Sequence, residues 1–260
     1  MINREQIKRK IQKWKLLQNR RRVLIIEDLR VGYIPIYKVA STSLRNLICG
    51  RQKGHHFPEW RNRKLTVSKK RQVERCIRKS AGIRKTRRLK RKYFLFAFVR
   101  NPVTRLYSCY LDKVVRPGKE GKRCNLRRYG IETDMDFDAF ARRIAEIPDS
   151  EADKHFRSQL FEIYHQGEWL VDFVGKLENM VADWQRLAEK TGLQEIPEIY
   201  RRTGAGNGLD QLPLSPETAR LIARRYSRAI DLLGYRQEID AWLDRKSYEQ
   251  ADTFQQRKAV

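Results

Sequence analysis

Two short segments carry residues whose types and spacing suit the binding of a phosphate-like anion. In the first, an apolar stretch over residues 33–36 precedes Lys38 and then a run of hydroxyl side chains, Ser41, Thr42 and Ser43, where an apolar helix begins. The first N–H groups of a helix have no partner inside the helix, and the helix dipole favours negative charge there. The pattern therefore predicts an anion site, although an ordinary helix cap has the same signature.

The second segment begins with an apolar run over residues 93–99, which is typical of a strand buried on both faces of a parallel sheet. Asn101 predicts a helix cap, and Pro102 fits the first helical position, where no N–H is needed. Arg100 therefore stands at the carboxyl end of a strand, where open parallel sheets bind their ligands.

The helix that follows should bury an apolar stripe and leave Ser108 outside it, on one ridge with Thr104. At about 1.5 Å per residue, Ser108 lies roughly 12 Å along the helix from Arg100. An anion that touches both side chains must then lie beside the helix and not at its tip. The alternative is an arginine paired with a carboxylate, together with a surface serine. The predicted stripe consists of Val103, Leu106, Tyr107, Tyr110 and Leu111.

The rest of the chain alternates predicted helices with strands, which indicates a parallel sheet flanked by helices. There are no internal repeats. The predicted elements are helices at 136–147, 155–164, 177–191 (ended by Gly192) and 216–233, with a strand at 170–175.

Taken in order, several segments resemble the membrane-type carbohydrate sulfotransferases, sulfotransferase family 2. Residues 38–43 resemble that family's 5′-phosphosulfate loop, and residues 98–110 resemble its 3′-phosphate motif. The likeness covers roughly residues 31–236. The other similar segments are His155-Phe156-Arg157-Ser158-Gln159, the strand Asp172-Phe173-Val174-Gly175-Lys176-Leu177-Glu178, and a closing helix that runs from Tyr226 to Tyr235.

The resemblance implies an α/β fold, namely a P-loop-like central parallel sheet flanked by helices, the sulfotransferase fold, in a single domain. We assign residues 31–236 to this domain, with a basic insertion at 51–92. A basic amphipathic segment, 1–30, precedes the domain, and a polar helical tail, 237–260, follows it.

The resemblance also implies the donor, 3′-phosphoadenosine 5′-phosphosulfate (PAPS), whose product is 3′,5′-ADP. Lys38 would neutralise charge on the bridging oxygen, while Arg100 and Ser108 bind the 3′-phosphate. Arg201, in the glycine-rich loop 201–208, would close over the nucleotide, and no metal is required. The 5′-phosphate would be held by the amides and hydroxyls of Val39, Ala40, Ser41, Thr42 and Ser43.

A base must take the proton of the attacking hydroxyl, and histidine has a suitable unperturbed pKa. His155 is the first candidate because it opens the segment that matches the family. His55 and His56, in the basic insertion, are the second candidates. A carboxylate such as Glu59 or Asp153 could also serve.

The net charge of +26 lies almost entirely in the first third of the chain, where residues 1–92 hold 30 Lys and Arg against 5 Asp and Glu. The densest basic run is 84–92. A nucleotide donor does not need so much charge, so we expect an acidic carbohydrate or glycolipid acceptor, or peripheral contact with an anionic membrane. Lys154 and Arg157 are the candidate contacts for such an acceptor.

No segment of the sequence has the roughly 20 apolar residues of a membrane span, and no signal peptide is visible. A bacterial-style cytoplasmic enzyme, which could also be peripheral to a membrane, is therefore expected. Cys49 and Cys109 show no metal-ligand spacing and are expected to be buried free thiols.

Three alternatives stay open. A kinase-like phosphotransferase would explain a phosphate loop, but Gly-x-x-x-x-Gly-Lys-Ser/Thr is absent. A nucleic-acid-binding protein would explain the basic charge, but it would leave both phosphate motifs unused, so nucleic acid is a poor candidate partner. A catalytically silent nucleotide-binding relative would arise if Tyr37, in place of the family's usual proline, displaced Lys38.

Overall fold

The computed structural model describes residues 21–51, 78–115, 126–194 and 208–258. Two compact units divide the chain. The first comprises residues 1–99 and 159–200, and the second comprises residues 100–158 and 201–260. In the described part of the chain, no helix has both the length and the apolar character that a bilayer crossing needs.

The strands are β1 (Arg21–Ile26), β2 (Val31–Tyr33), β3 (Arg78–Ala81), β4 (Phe94–Val99), β5 (Tyr164–His165), β6 (Glu168–Trp169) and β7 (Phe173–Lys176). The helices are α1 (Ser41–Arg51), α2 (Ile83–Lys90), α3 (Pro102–Tyr110), α4 (Phe137–Ala145), α5 (Leu160–Ile163), α6 (Met180–Thr191), α7 (Pro216–Arg225), α8 (Ser227–Leu232) and α9 (Arg236–Lys258). A π-helical turn, Leu111–Val115, extends α3, and short 3-10 turns cover Leu126–Tyr129, Leu177–Asn179 and Leu209–Gln211.

A five-stranded sheet in the order β3-β1-β2-β4-β7 forms the first unit. Strands β2, β4 and β7 are parallel, as predicted, but β1 is antiparallel to both β2 and β3, so the sheet is mixed. The exception follows from the short turn 27–30, in which the N–H of Arg30 donates to the carbonyl of Glu27. So short a connection can join only antiparallel neighbours, because parallel strands require a crossover.

Helices α1 and α6 cover one face of this sheet with a single apolar cluster. The Phe98 ring stacks on Trp184 of α6, with ring centroids 5.8 Å apart, and β4 is buried along its length apart from its first residue. Gly175 of β7 lies so close to the Phe98 ring that a Cβ atom would collide with it. The predicted buried strand over 93–99 is thus confirmed, and the glycine of the 172–178 segment has a packing role.

The second unit is helical in its described part, and its closing helix differs from the prediction. A single helix over 216–233 was expected, but α7 ends at Arg225 and α8 begins at Ser227. Between them the backbone of Tyr226 leaves the helical region, with φ −104° and ψ 14°, and its buried hydroxyl donates to the carbonyl of Phe156. Helix α9 covers most of the predicted polar tail.

The predicted helix 155–164 is also wrong, because only Leu160–Ile163 is helical and residues 154–156 form a turn. The reason is local competition for hydrogen bonds. The Asp153 carboxylate accepts the N–H of His155, and the N–H of Ser158 donates to the Asp149 carboxylate. Side chains of this kind divert backbone donors that a helix would use. The strand expected at 170–175 lies slightly later, at 173–176.

Candidate anion-binding and catalytic site

The loop that follows β2 leads directly into the start of α1 and has an unusual backbone. The N–H of Ile34 donates to the carbonyl of Phe96, which extends the pairing of β2 with β4 by one bond. Lys38 and Ala40 then take left-handed conformations, with φ of 68° and 53°. Such conformations cost non-glycine residues roughly 1–2 kcal/mol, and they concentrate at functional sites.

The turn brings backbone donors to the helix start. The Ala40 carbonyl accepts the N–H of Leu44, which is the first bond of the helix. The amides of residues 41–43 consequently have no acceptor within α1. Val39 is fully buried and Ser43 is 6% exposed, whereas Thr42 is exposed and Ser41 is half-buried. The predicted order of strand, lysine, hydroxyls and helix is found, although the strand lies earlier than the apolar stretch 33–36, at Val31–Tyr33.

Arg45 is a further cation at this helix start that the sequence analysis did not single out. Its Nε donates to the Ser41 carbonyl at 3.0 Å, and an Nη atom lies 3.5 Å from the Thr42 hydroxyl. Burial raises the pKa of the Tyr33 hydroxyl, and the positive charge of Arg45 opposes that rise. The sequence did contain one indication of this role of Arg45. Its i, i+4 spacing from Ser41 lets a long side chain fold back over the first turn of the helix.

The carboxyl ends of the parallel strands meet at one edge of the sheet. Val99, the last residue of β4, pairs with Lys176, the last residue of β7. The loop that carries Lys38 leaves β2 at this same edge, because β2 and β4 are parallel. Arg100 is the next residue after Val99 in the chain.

In the second unit, α3 begins as the sequence predicts. The Asn101 side chain accepts the N–H groups of Val103 and Thr104, and Pro102 occupies the first turn. Arg100 Nε donates to the hydroxyl of Thr104 at 3.0 Å, so its guanidinium lies along the ridge that leads to Ser108.

Ser108 was expected to lie outside the buried face of α3, but the structure buries it. Its exposed fraction is 3%, and that of Thr104 is 8%. Seven of the nine residues of α3 are buried, and Thr104 and Ser108 of its polar ridge are among them. The alternative of a surface serine is therefore wrong.

His155 lies in a turn beside a carboxylate. Its Nδ1 is 2.5 Å from Oδ1 of Asp153, and its side chain is 14% exposed. Burial lowers the pKa of His155 below its usual value, with the Asp153 carboxylate opposing and Lys113 and Lys154 reinforcing that shift. The pKa of Asp153 is lowered to about 2, because its hydrogen bonds to His155 outweigh the effect of burial.

A buried arginine holds this turn. Arg105 of α3 is 2% exposed, and its two Nη atoms donate to the carbonyls of Arg157 and Lys154, at 2.9 and 3.3 Å. These two carbonyls bracket His155 in the chain, so Arg105 fixes the backbone on both sides of it. Nothing local in the sequence signals this role, since the partners are about 50 positions apart.

The structure thus brings the two acceptor candidates into the turn that carries His155. Lys154 is exposed and Arg157 is half-buried. His165 is half-buried in the short strand β5. The second-choice bases His55 and His56 lie outside the described residues, as do Glu59 and Arg201. Cys49 and Cys109 are buried and lie outside any disulfide in the described part of the chain, as predicted.

Comparison with known proteins adds one match. A family model described as Sulfotransferase family matches residues 21–236 of the chain, which confirms the resemblance inferred from the motifs. No curated protein and no solved structure matches the chain.

Proposed function

The chain belongs to the sulfotransferase family, and from that membership we propose that it transfers a sulfuryl group from PAPS to a hydroxyl of a carbohydrate acceptor. The observation that carries the proposal is the turn at Lys38 and Ala40, which directs a helix start and two cations to the carboxyl edge of the sheet. Sulfuryl transfer, like phosphoryl transfer, depends mainly on positioning and on stabilisation of charge.

The start of α1 suits the 5′-phosphosulfate end of the donor. Amides of residues 41–43 that lack helical acceptors can donate to its oxygens, and the helix dipole adds to the attraction. Lys38 neutralises the negative charge that grows on the bridging oxygen as the sulfur–oxygen bond breaks. Arg45 holds the same phosphate from the first turn of the helix, because its guanidinium lies beside Ser41 and Thr42.

The ridge of α3 suits the 3′-phosphate, the group that separates this donor from ordinary adenine nucleotides. Arg100 supplies the charge, and its bond to Thr104 sets the direction of the guanidinium along the helix. Ser108 adds a hydroxyl one turn further on. Arg201, which lies outside the described residues, is the proposed further contact of the bound nucleotide.

His155 is the base in this proposal. Asp153 engages Nδ1, so the proton of the acceptor hydroxyl passes to Nε2 as the hydroxyl oxygen bonds to sulfur. The bond between sulfur and the 5′-phosphate oxygen breaks in the same step, and 3′,5′-ADP is left. A lowered pKa keeps the imidazole neutral, and so able to accept a proton, near neutral pH.

Lys154 and Arg157 contact the acceptor, since they flank the base within one turn. Two cations beside the base favour an acidic carbohydrate or glycolipid over a neutral one. The hydroxyl that accepts the sulfuryl group is then held next to His155 by groups that Arg105 keeps in place.

The direct test incubates the full chain with radiolabelled donor and a panel of capsular polysaccharides, lipid-linked sugars and glycosaminoglycans. We expect label on at least one acidic acceptor. Lys38→Ala should reduce transfer at least 100-fold, a typical loss when one charge-stabilising group is removed. Lys190→Ala, an exposed lysine of α6, is the control and should transfer at the normal rate. Full activity of Lys38→Ala would contradict the proposal.

A further inference from the structure

The surface of α2 carries a row of cations that the proposed reaction does not use. Five basic side chains occupy the exposed positions of this helix and of the turn that ends it. In the described part of the chain none of them forms an ion pair. We call them the α2 stripe: Arg84, Lys85, Arg88, Arg91 and Lys92.

The spacing places these residues on one side of the helix. Arg84, Lys85 and Arg88 follow one another at i, i+1 and i+4, positions that share a helical face, and Arg91 and Lys92 follow in the turn that ends the helix. The opposite side holds Thr86 and Leu89, which are buried. At about 1.5 Å per residue the α2 stripe is roughly 12 Å long.

Neighbouring basic residues of the same helix do have partners. Arg87 pairs with Glu168 at 2.6 Å, and Lys90 lies 3.6 Å from Asp172 and donates to the Trp169 carbonyl. The carboxylates of Glu168 and Asp172 are therefore engaged by these two residues. Among the residues that the structure describes, the α2 stripe has no compensating acidic partner.

Such a row is unfavourable for the helix alone. Like charges one turn apart, as in Arg84 and Arg88 or Arg88 and Lys92, repel each other. Arg84 and Lys85 also stand in the first turn, at the positive end of the helix dipole. An anionic partner with several charges would remove both penalties.

The sheet topology fixes the direction in which the α2 stripe runs relative to the sheet. Strand β3 is antiparallel to β1, which is antiparallel to β2, so β3 points in the same direction as β2 and β4. Helix α2 therefore begins near the carboxyl edge of the sheet and returns to the amino end of β4 at Phe94. Its first residues lie toward the edge that the Lys38 loop leaves, and its last residues lie away from it.

We propose that the α2 stripe binds the distal part of a linear acidic polysaccharide whose reacting sugar lies at the carboxyl edge of the sheet. This inference rests on the proposed function, because it assumes a carbohydrate acceptor. A row of charges that runs away from that edge matches an extended polyanion. A lipid bilayer fits less well, since the exposed side of α2 offers no apolar side chain to insert.

The test measures binding of chondroitin sulfate, hyaluronan and neutral dextran to the full chain by calorimetry at several salt concentrations. The variant is the triple substitution Arg84→Gln, Arg88→Gln and Lys92→Gln, which removes three charges from one line. We expect its affinity for the acidic polymers to fall at least tenfold. The salt dependence should also weaken, since each lost contact removes roughly 0.7–0.9 from the slope of log affinity against log salt, as in nucleic-acid complexes.

The control removes the same number of charges from scattered exposed positions. It carries Arg127→Gln, Lys190→Gln and Arg224→Gln, and it should lose less than threefold in affinity. Equal losses in the two triple variants would show that only net charge matters, and they would overturn the proposal. So would an absence of acidic-polymer binding by the unmodified chain.

Two further titrations separate the remaining outcomes. If the stripe variant lost binding to phosphatidylserine vesicles or to duplex DNA but kept polysaccharide binding, the partner would be a membrane or a nucleic acid, and the proposal would be wrong. Binding of 3′,5′-ADP should be the same in both triple variants. If the unmodified chain did not bind 3′,5′-ADP, the proposed function would fail, whatever the polysaccharide results.

Discussion

Nδ1 of His155 lies 2.5 Å from Oδ1 of Asp153, and the same carboxylate oxygen accepts the backbone N–H of His155. The carboxylate therefore fixes both the ring and the start of the turn. Because the hydrogen bond to Asp153 occupies Nδ1, Nε2 is the ring nitrogen that can exchange a proton with the hydroxyl of the acceptor substrate. In the proposed mechanism Asp153, which the sequence offered only as an alternative base, is therefore a positioning residue for His155.

Asp153→Asn tests this relationship. The amide cannot stabilise an imidazolium, so we expect kcat for sulfate transfer to fall at least tenfold. The carboxylate opposes the lowering of the His155 pKa, so its loss should lower that pKa further. Activity needs the unprotonated ring, so the acid limb of the pH–rate profile should move to lower pH. Asp134→Asn, an exposed aspartate of the same unit, should leave the profile in place. An unmoved limb in Asp153→Asn would exclude the positioning role.

Arg105→Met tests the buried arginine that holds the same turn. Methionine retains the bulk but leaves the carbonyls of Lys154 and Arg157 without their donors. Bonds from a charged donor contribute about 1.5–3 kcal/mol each, so the loss of both should lower the free energy of unfolding by about 3–6 kcal/mol in urea titrations. Arg127→Met, at an exposed position, should change it by less than about 0.5 kcal/mol. A similarly small change in Arg105→Met would show that the buried bonds contribute little.

Ala40→Gly tests the strain in the anion loop. Glycine adopts the left-handed conformation of this position without penalty, so the substitution should stabilise the fold by up to about 1 kcal/mol. Ala139→Gly, within helix α4, should instead destabilise it by about 0.5–1 kcal/mol. Both values come from thermal or urea unfolding. If the two substitutions were equally destabilising, the left-handed conformation of Ala40 would be unsupported.

Arg45→Ala tests the cation that folds back over the start of α1. The 5′-phosphate is common to 5′-AMP and 3′,5′-ADP, so the affinities for both nucleotides should fall together, by roughly tenfold for one charge-assisted bond. Lys190→Ala is the matched control and should bind both nucleotides normally. A loss confined to 3′,5′-ADP would place Arg45 at the wrong end of the nucleotide.

The parts of the fold that sequence predicted well are those governed by local rules. The apolar run of β4, the Asn101 cap and the Pro102 start of α3 follow one another within a few residues, and all three are found as expected. The Lys38 loop was recognisable for the same reason. Its left-handed residues, Lys38 and Ala40, were not, because neither residue type favours that conformation.

The parts that sequence predicted poorly depend on distant partners. The turn at His155 is held by Arg105, and the break at Tyr226 coincides with a bond to the carbonyl of Phe156, 70 positions away. Helical periodicity in the sequence carries no information about contacts between such distant residues. The burial of Ser108 was missed for a related reason, because spacing alone does not show that residues outside the apolar stripe of a helix are also buried.

A calorimetric comparison shows whether the chain holds both phosphorylated ends of a PAPS-type nucleotide. The unmodified chain and Arg100→Ala are each titrated with 3′,5′-ADP and with 5′-AMP, and Arg127→Ala serves as the control. We predict that the unmodified chain binds 3′,5′-ADP at least tenfold more tightly than 5′-AMP, and that Arg100→Ala alone loses this preference. Equal affinities of the unmodified chain for the two nucleotides would show that it does not recognise the 3′-phosphate.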